Sequence, residues 1–260
     1  EGNRRLSKRD KGSGLAEYQQ KGYLPEALLN YLALLGWAIA EDRDVFAIAE
    51  MVEAFDIRRV NANPARFDAR KCEAINAAHI RLLPPDELTA NLLPFFAAAG
   101  LIGEPPRPGE HDRLAAATPL IQERINTLSE AVGLLAFLFL ADDKITIAAD
   151  AGLSAEAIPT LRAAYDALTA VPDFDHASVE AALRTALVED LGLKPRLAFG
   201  PVRAAITGSR ISPPLFESIE LLGRVSTLAR IAAALAELGE PEIAGSSPGR
   251  SDSGVARPKR

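Results

Sequence analysis

From residue 15 to residue 238 the apolar side chains of this chain recur at the spacing of a helical face, and no stretch alternates with the two-residue period of a half-buried strand. That pattern confines the fold more than any other feature. Alanine and leucine dominate, runs of β-branched residues are scarce, and aromatics make up only 6% of the 260 residues, a composition that favours helices packed on helices. With 48% hydrophobic and 25% charged residues the chain can bury a core in the ordinary way of globular proteins. The expectation is an all-α protein whose prolines and glycines mark where helices stop.

Residues 1–14 carry charge, glycine and serine without periodicity and are expected to form a mobile loop. Pro25 suits the first turn of a helix whose Leu28, Tyr31, Leu32 and Leu35 would share the inner face before Gly36 ends it. A short helix over 47–55, a turn at 61–64 and a helix opened by Phe67-Asp68, with Ile75 inward, should follow. Pro84-Pro85 is the first strong boundary, because neither proline suits a helix interior; Asp86 is expected to cap the next helix, which runs towards Ala99 and bends at Pro94. Residues 103–109, with three prolines, make the second break, and 114–140 reads as two deeply buried helices. Beyond Asp142-Asp143 shorter helices are expected near 154–168, 177–190, 196–206, 213–222 and 225–238, the last with Leu228, Ile231, Leu235 and Leu238 on one stripe. From 241 to 260 too few apolar residues remain to offset the entropy of ordering, so a disordered tail is expected.

A net charge of -6 argues against a protein that binds nucleic acid through broad phosphate neutralisation. It leaves room for a specific RNA-binding face, because the basic residues cluster: Arg4, Arg5, Lys8, Arg9 and Lys11; Arg58, Arg59, Arg66, Arg70 and Lys71; Lys194, Arg196, Arg203 and Arg210. A single cysteine, Cys72, excludes an internal disulfide framework, and His79, His111 and His176 lack any paired ligand spacing, so no metal site is expected. His79 is read as a helix-surface residue without chemistry. No apolar run reaches the roughly 20 residues that span a bilayer, and there is no secretory leader; the expectation is a cytoplasmic protein without membrane contact.

Three stretches can carry chemistry. The first is Arg5-Leu6-Ser7-Lys8-Arg9, followed by a Gly-Ser-Gly stretch and by Gly22-Tyr23-Leu24-Pro25-Glu26-Ala27-Leu28. A loop lysine can meet negative charge on phosphate oxygens, but a Ser-Lys-Arg tripeptide alone is a weak signal that reads as a solvated loop. The second is Pro119-Leu120-Ile121-Gln122-Glu123-Arg124-Ile125-Asn126-Thr127-Leu128, whose Arg124 offers planar donors able to bond an unstacked base, or else lies on an exposed helical face. The third comprises Lys194-Pro195-Arg196, Pro201-Val202-Arg203-Ala204-Ala205-Ile206-Thr207-Gly208 and Ser212-Pro213-Pro214-Leu215-Phe216-Glu217. There Gly208 and the Pro213-Pro214 pair would hold a rigid turn that exposes backbone groups to flipped-out bases. Leu215, Ile219 and Leu222 can equally be helix core, and for the last two core is the preferred reading.

In this order the stretches resemble class I aminoacyl-tRNA synthetases, and most closely the bacterial, actinobacterial-type glutamyl-tRNA synthetases, over residues 3–238. The first resembles the Lys-x-Ser-Lys-Arg signature loop, with Arg5 in place of the leading lysine; Asn63-Pro64-Ala65-Arg66-Phe67-Asp68 and Asn76-Ala77-Ala78-His79-Ile80-Arg81 resemble the same family. The resemblance implies that Lys8 is the catalytic lysine and that Arg5, Leu6, Ser7, Lys8 and Arg9 form the ATP-side loop. It implies that Arg124 reads the third anticodon base and selects glutamate tRNA over glutamine tRNA, and that Arg203, Ser212, Pro213 and Leu215 contact the first two bases. The regions it implies are a signature-loop remnant (1–14), a stem-contact helical region (15–85), first and second anticodon-binding helical subdomains (86–141 and 142–240) and the tail (241–260). Because the chain opens inside the signature loop and lacks the family's first signature, it is expected to be the C-terminal portion of a monomeric enzyme. That enzyme would use ATP and Mg²⁺ to activate glutamate and esterify it to tRNA(Glu), whereas this portion alone would be inactive and hold no cofactor. The alternatives are a noncatalytic stand-alone module that binds the tRNA anticodon and an all-α scaffold with no RNA role.

Overall fold

The computed structural model describes residues 14–61 and 66–239. The signature loop at residues 5–9, the first half of the turn-and-helix motif at 62–65 and the C-terminal tail lie outside the described residues. Among the described residues the chain is all-α as expected, with helices and turns, no strand, and one isolated bridge between Ala40 and Arg43. It divides into two compact units, one running to Ala141 and including Ile211–Leu221, the other comprising Asp142–Arg210 and the chain from Leu222.

The first unit is built from α1 (Leu15–Lys21), α2 (Pro25–Leu34), α3 (Ile48–Ala54), α4 (Ala69–Leu82), α5 (Pro85–Ala98), α6 (Glu110–Ile121) and α7 (Glu130–Leu135). Asp68 starts α4 because its carboxylate accepts the backbone N–H groups of Arg70 and Lys71, two donors that no helical carbonyl can satisfy. Helix α4 then buries Cys72, Ile75, Asn76, His79 and Ile80 and packs against α2.

The inner face of α2 differs from the sequence expectation. Leu24, Ala27, Asn30 and Tyr31 are buried, whereas Leu32 is 53% exposed and Leu28 and Leu35 are half-buried. The face is turned because Asn30 has partners only inside: its Nδ2 donates to the Asp44 carbonyl (2.9 Å) and its Oδ1 accepts the Phe46 N–H (3.1 Å). A buried carboxamide is tolerated when hydrogen-bonded, and these bonds override a leucine stripe.

Asp86 is not the cap of α5. Pro84 occupies that position and Pro85 the first helical one, where a missing N–H costs nothing; Asp86 stands in the first turn and favours the positive end of the helix dipole. The 114–140 segment holds two helices as expected, separated by a run of turns at 122–129 between the end of α6 at Ile121 and the start of α7. Its burial is as expected at Ala131, Leu135, Phe137 and Leu138.

The second unit packs α8 (Ile158–Ala170) against α9 (His176–Leu183), α10 (Pro195–Thr207) and α12 (Arg224–Glu237). The helix expected at 177–190 changes winding at Arg184, where residues Arg184–Asp190 adopt π-type spacing with Leu187 still buried. In α12 Ile231 and Leu235 are buried as expected, but Thr227, Arg230 and Ala234 share the face in place of Leu228 and Leu238. Arg230 is only 3% exposed; it donates to the Asp142 carboxylate (2.7 Å) and to the Ile206 carbonyl (2.8 Å), the pairing that a buried charge requires. Arg224 donates to the carbonyls of Leu168, Thr169, Val171 and Pro172 at the end of α8 and lies 4.8 Å over the Phe174 ring. It thus serves carbonyls the helix leaves unsatisfied. The remaining helix, α11 (Leu215–Leu222), falls almost wholly in the first unit and buries Leu215, Ser218 and Ile219.

Candidate nucleic-acid interface

Arg124 lies on the turn that follows α6, not on a helical face, and its side chain is exposed. The turn is tight because the Arg124 N–H bonds back to the Ile121 carbonyl (2.8 Å), and fully buried Ile121 and Ile125 pin it on both sides. Its other residues are tied to α4. Gln122 Nε2 donates to the carbonyls of Ile80 (3.0 Å) and Leu83 (2.8 Å), and Glu123 pairs with Arg81 (3.0 Å). Asn76, with no exposed surface, donates from Nδ2 to the Asn126 carbonyl (2.6 Å) while its Oδ1 accepts the Leu24 N–H (2.8 Å). The Asn126 N–H in turn bonds Glu130 (2.8 Å). Among the described residues the Arg124 guanidinium makes no hydrogen bond or ion pair. A planar five-donor group is therefore held out from a fixed backbone, which is what edge recognition of an unstacked base requires.

The third sequence block divides between the units. In the second unit Arg203 is half-buried on α10, while Lys194, Arg196 and Arg210 are exposed and form no ion pair among the described residues. Gly208 ends α10 with φ +75°, and a Cβ there would run into the Thr146 carbonyl. Its own carbonyl accepts the Ala148 N–H (2.8 Å) and the residue is buried. The expected exposure of backbone at Gly208 is therefore not found, because the closely approaching segment 146–148 takes that group. In the first unit Ser212 (5% exposed), Pro213 and Leu215 (4%) are all buried. The Ser212 hydroxyl donates to the Pro213 carbonyl (2.8 Å), and the Ser218 hydroxyl donates to the Pro214 carbonyl (2.6 Å).

Of the basic residues clustered in the first third, Arg58 pairs with Asp56 (2.8 Å), Lys71 with Asp44 (2.9 Å), and Arg59 stacks 5.6 Å over Trp37 while donating to the Ala38 carbonyl. Arg66 and Arg70 remain exposed without such a partner among the described residues. Burial pushes the Cys72 thiol up to about 11, which makes it inert rather than nucleophilic, and no group of residues able to hold a metal ion occurs among the described residues. His79 is a correction: it is buried, with Nε2 2.8 Å from Asn30 Oδ1, and desolvation holds its pKa below the ordinary value. Sequence reasoning missed Asn30, Asn76 and Gln122. The available signal was a carboxamide placed at apolar positions of a helical pattern.

Among the described residues no helix is long and apolar enough to cross a membrane. The family model described as anticodon binding domain matches residues 87–235, and the catalytic domain of class I tRNA synthetases (E and Q) matches residues 1–74. The glutamate–tRNA ligase of Kocuria rhizophila is 54% identical over 92% of this chain and 47% of its own length; that of Nocardioides sp. is 53% identical over 90% and 48%. The chain spans about half the length of the curated relatives it matches. Its fold is that of part of a glutamate tRNA ligase from Elizabethkingia meningosepticum, solved in complex with its amino acid, with a TM-score of 0.77 at 24% identity over 92% of this chain and 49% of that one. Through the model that covers more than half of its residues the chain belongs to the anticodon binding domain family, and along nearly all of its length it is similar to glutamate–tRNA ligases.

Proposed function

We propose that the chain is the C-terminal, tRNA-binding portion of a glutamate–tRNA ligase. The whole enzyme activates glutamate with ATP and Mg²⁺ and esterifies it to tRNA(Glu), acting as a cytoplasmic monomer. The observation that carries this reading is the collinear match, 54% identity over 240 residues, to glutamate–tRNA ligases. In it residues 15–85 contact the tRNA stem, and 86–141 and 142–240 are the two anticodon-binding subdomains. Lys8, within the segment matched to the catalytic domain, meets phosphate charge developing on ATP, with Arg5, Leu6, Ser7 and Arg9 completing the loop. Arg203 supplies charge near the first two anticodon bases, and buried Ser212, Pro213 and Leu215 shape the turn whose backbone meets them.

Arg124 reads the third anticodon base, a role supported by its exposure and by the absence of any described partner. The test is titration of the chain, at one fixed salt concentration because phosphate contacts are salt-dependent, with tRNA(Glu) and with its variant carrying G in place of C at the third anticodon position. Wild type should prefer C, and Arg124→Gln should reduce that preference by about tenfold, the equivalent of one bidentate base contact. A uniform loss for both tRNAs would make Arg124 a phosphate anchor, and no preference for tRNA(Glu) over an unrelated tRNA would overturn the functional reading as a whole.

A further inference from the structure

We infer that Gln122 is the positioning residue that sets Arg124 for base discrimination; the inference rests on the assignment of Arg124 as reader of the third anticodon base. The last turn of an α-helix leaves carbonyls without helical partners. At the end of α4 Gln122 reaches in from a distant part of the chain: its Nε2 donates to the Leu83 carbonyl and to the Ile80 carbonyl, which also accepts the Leu83 N–H, across 39 and 42 residues of sequence. Two residues further on, the backbone of Arg124 folds back on Ile121.

The three tethers of this turn are unequal. The Arg81–Glu123 pair is largely solvated, Glu123 being 77% exposed, and exposed ion pairs hold geometry weakly. The Asn76–Asn126 bond acts beyond Ile125, on the far side of the reader. Gln122 alone of the three is both shielded and immediately upstream, so it fixes the peptide planes from which the Arg124 side chain departs. A carboxamide suits the position because it presents two donors without adding a second positive charge beside the guanidinium, which would raise affinity for any tRNA through its phosphates without adding to the choice of base.

The inference separates positioning from folding by the quantity it affects. Gln122→Met keeps the length of the side chain and removes both donors. In titrations of the chain with tRNA(Glu) carrying C or G at the third anticodon position, Gln122→Met should cut the C-over-G preference by about fivefold while affinity for the G variant stays within about twofold. In an Arg124→Gln background the same change should move the ratio by less than about twofold, because the two residues act as one unit. Gln122→Lys, which can still donate to the same carbonyls, should retain the wild-type ratio while strengthening binding to both tRNAs.

An unchanged ratio in Gln122→Met, an equal loss for both tRNAs, or a full repeat of its effect in the Arg124→Gln background would each overturn the role of Gln122 while leaving Arg124 as the reader. If Arg124→Gln itself leaves the ratio untouched, the reader assignment fails and the positioning role falls with it. Should Gln122→Met not fold, the lysine variant decides: a folded Gln122→Lys that has lost the preference overturns the inference.

Discussion

At the scale of single residues, the chemistry of this chain is set by which polar groups find partners. The Asn30 carboxamide oxygen accepts from Phe46 and can only accept, so His79 must donate to it from Nε2, which fixes the neutral tautomer of the ring. Burial then lowers the His79 pKa, with the nearby Glu26 charge opposing the shift in part. The unfolded chain takes up this proton more readily than the folded one. The contribution is therefore fully present above the unfolded value of 6.5 and declines as pH falls through it towards the folded pKa. Urea unfolding at about pH 7.5 and about pH 5.5 should show wild type less stable at the lower pH and His79→Gln losing less across the same interval. The carboxylates held low by hydrogen bonds and arginines, Glu50, Asp56, Glu110 and Asp175, act at more acid pH and do not interfere. Equal acid losses in the two proteins would remove His79 as the source. The same logic of partners isolates Arg124: its neighbours are bonded inward, and its own guanidinium has no partner among the described residues.

At the scale of elements, close approach decides what each connection tolerates. Gly22 has φ +77° between α1 and α2, and a Cβ there would lie 2.6 Å from Leu128 Cβ and 2.8 Å from its nitrogen; the Leu128 N–H bonds the Gly22 carbonyl at 3.0 Å. This contact joins the entry to α2 with the far end of the turn region that carries Arg124. Gly133, by contrast, stands exposed inside α7 with nothing within reach of a Cβ. Gly22→Ala should destabilise the chain by about 2 kcal/mol through the left-handed backbone and the clash. Gly133→Ala should stabilise it by about 0.5 kcal/mol through the lower backbone entropy of alanine in the unfolded chain and its better helix propensity. Denaturant midpoints with unchanged slopes would check both, and a neutral Gly22→Ala would show that the two segments can separate without cost. The turn region at 122–129 is also where helical periodicity misled, because Ile121, Ile125 and Leu128 sit at helical intervals yet are buried by turns bonded to other elements.

At the scale of the whole molecule, the catalytic-domain match covers only residues 1–74, so the 260-residue polypeptide should show no pyrophosphate exchange with ATP and glutamate, with or without tRNA(Glu). Adenylation depends on holding both reactants in register, and lost positioning removes many orders of magnitude of rate. Exchange above that of a Lys8→Ala control would contradict this. In a protein carrying the entire catalytic domain, Lys8→Ala should slow adenylation far more than it weakens tRNA binding. The all-α class and the family were legible in the sequence by itself. Helical spacing is a local property, and the order of motifs survives without any knowledge of contacts. Which face of α2 turns inward, why α6 stops at Ile121, and which of the clustered basic residues stay without a partner were decided only by the tertiary structure. Those outcomes depend on hydrogen bonds between residues far apart in sequence, such as Asn76 to Leu24 across 52 positions and Gln122 to Ile80 across 42, and no periodicity along the chain encodes which distant carbonyl a buried carboxamide will meet.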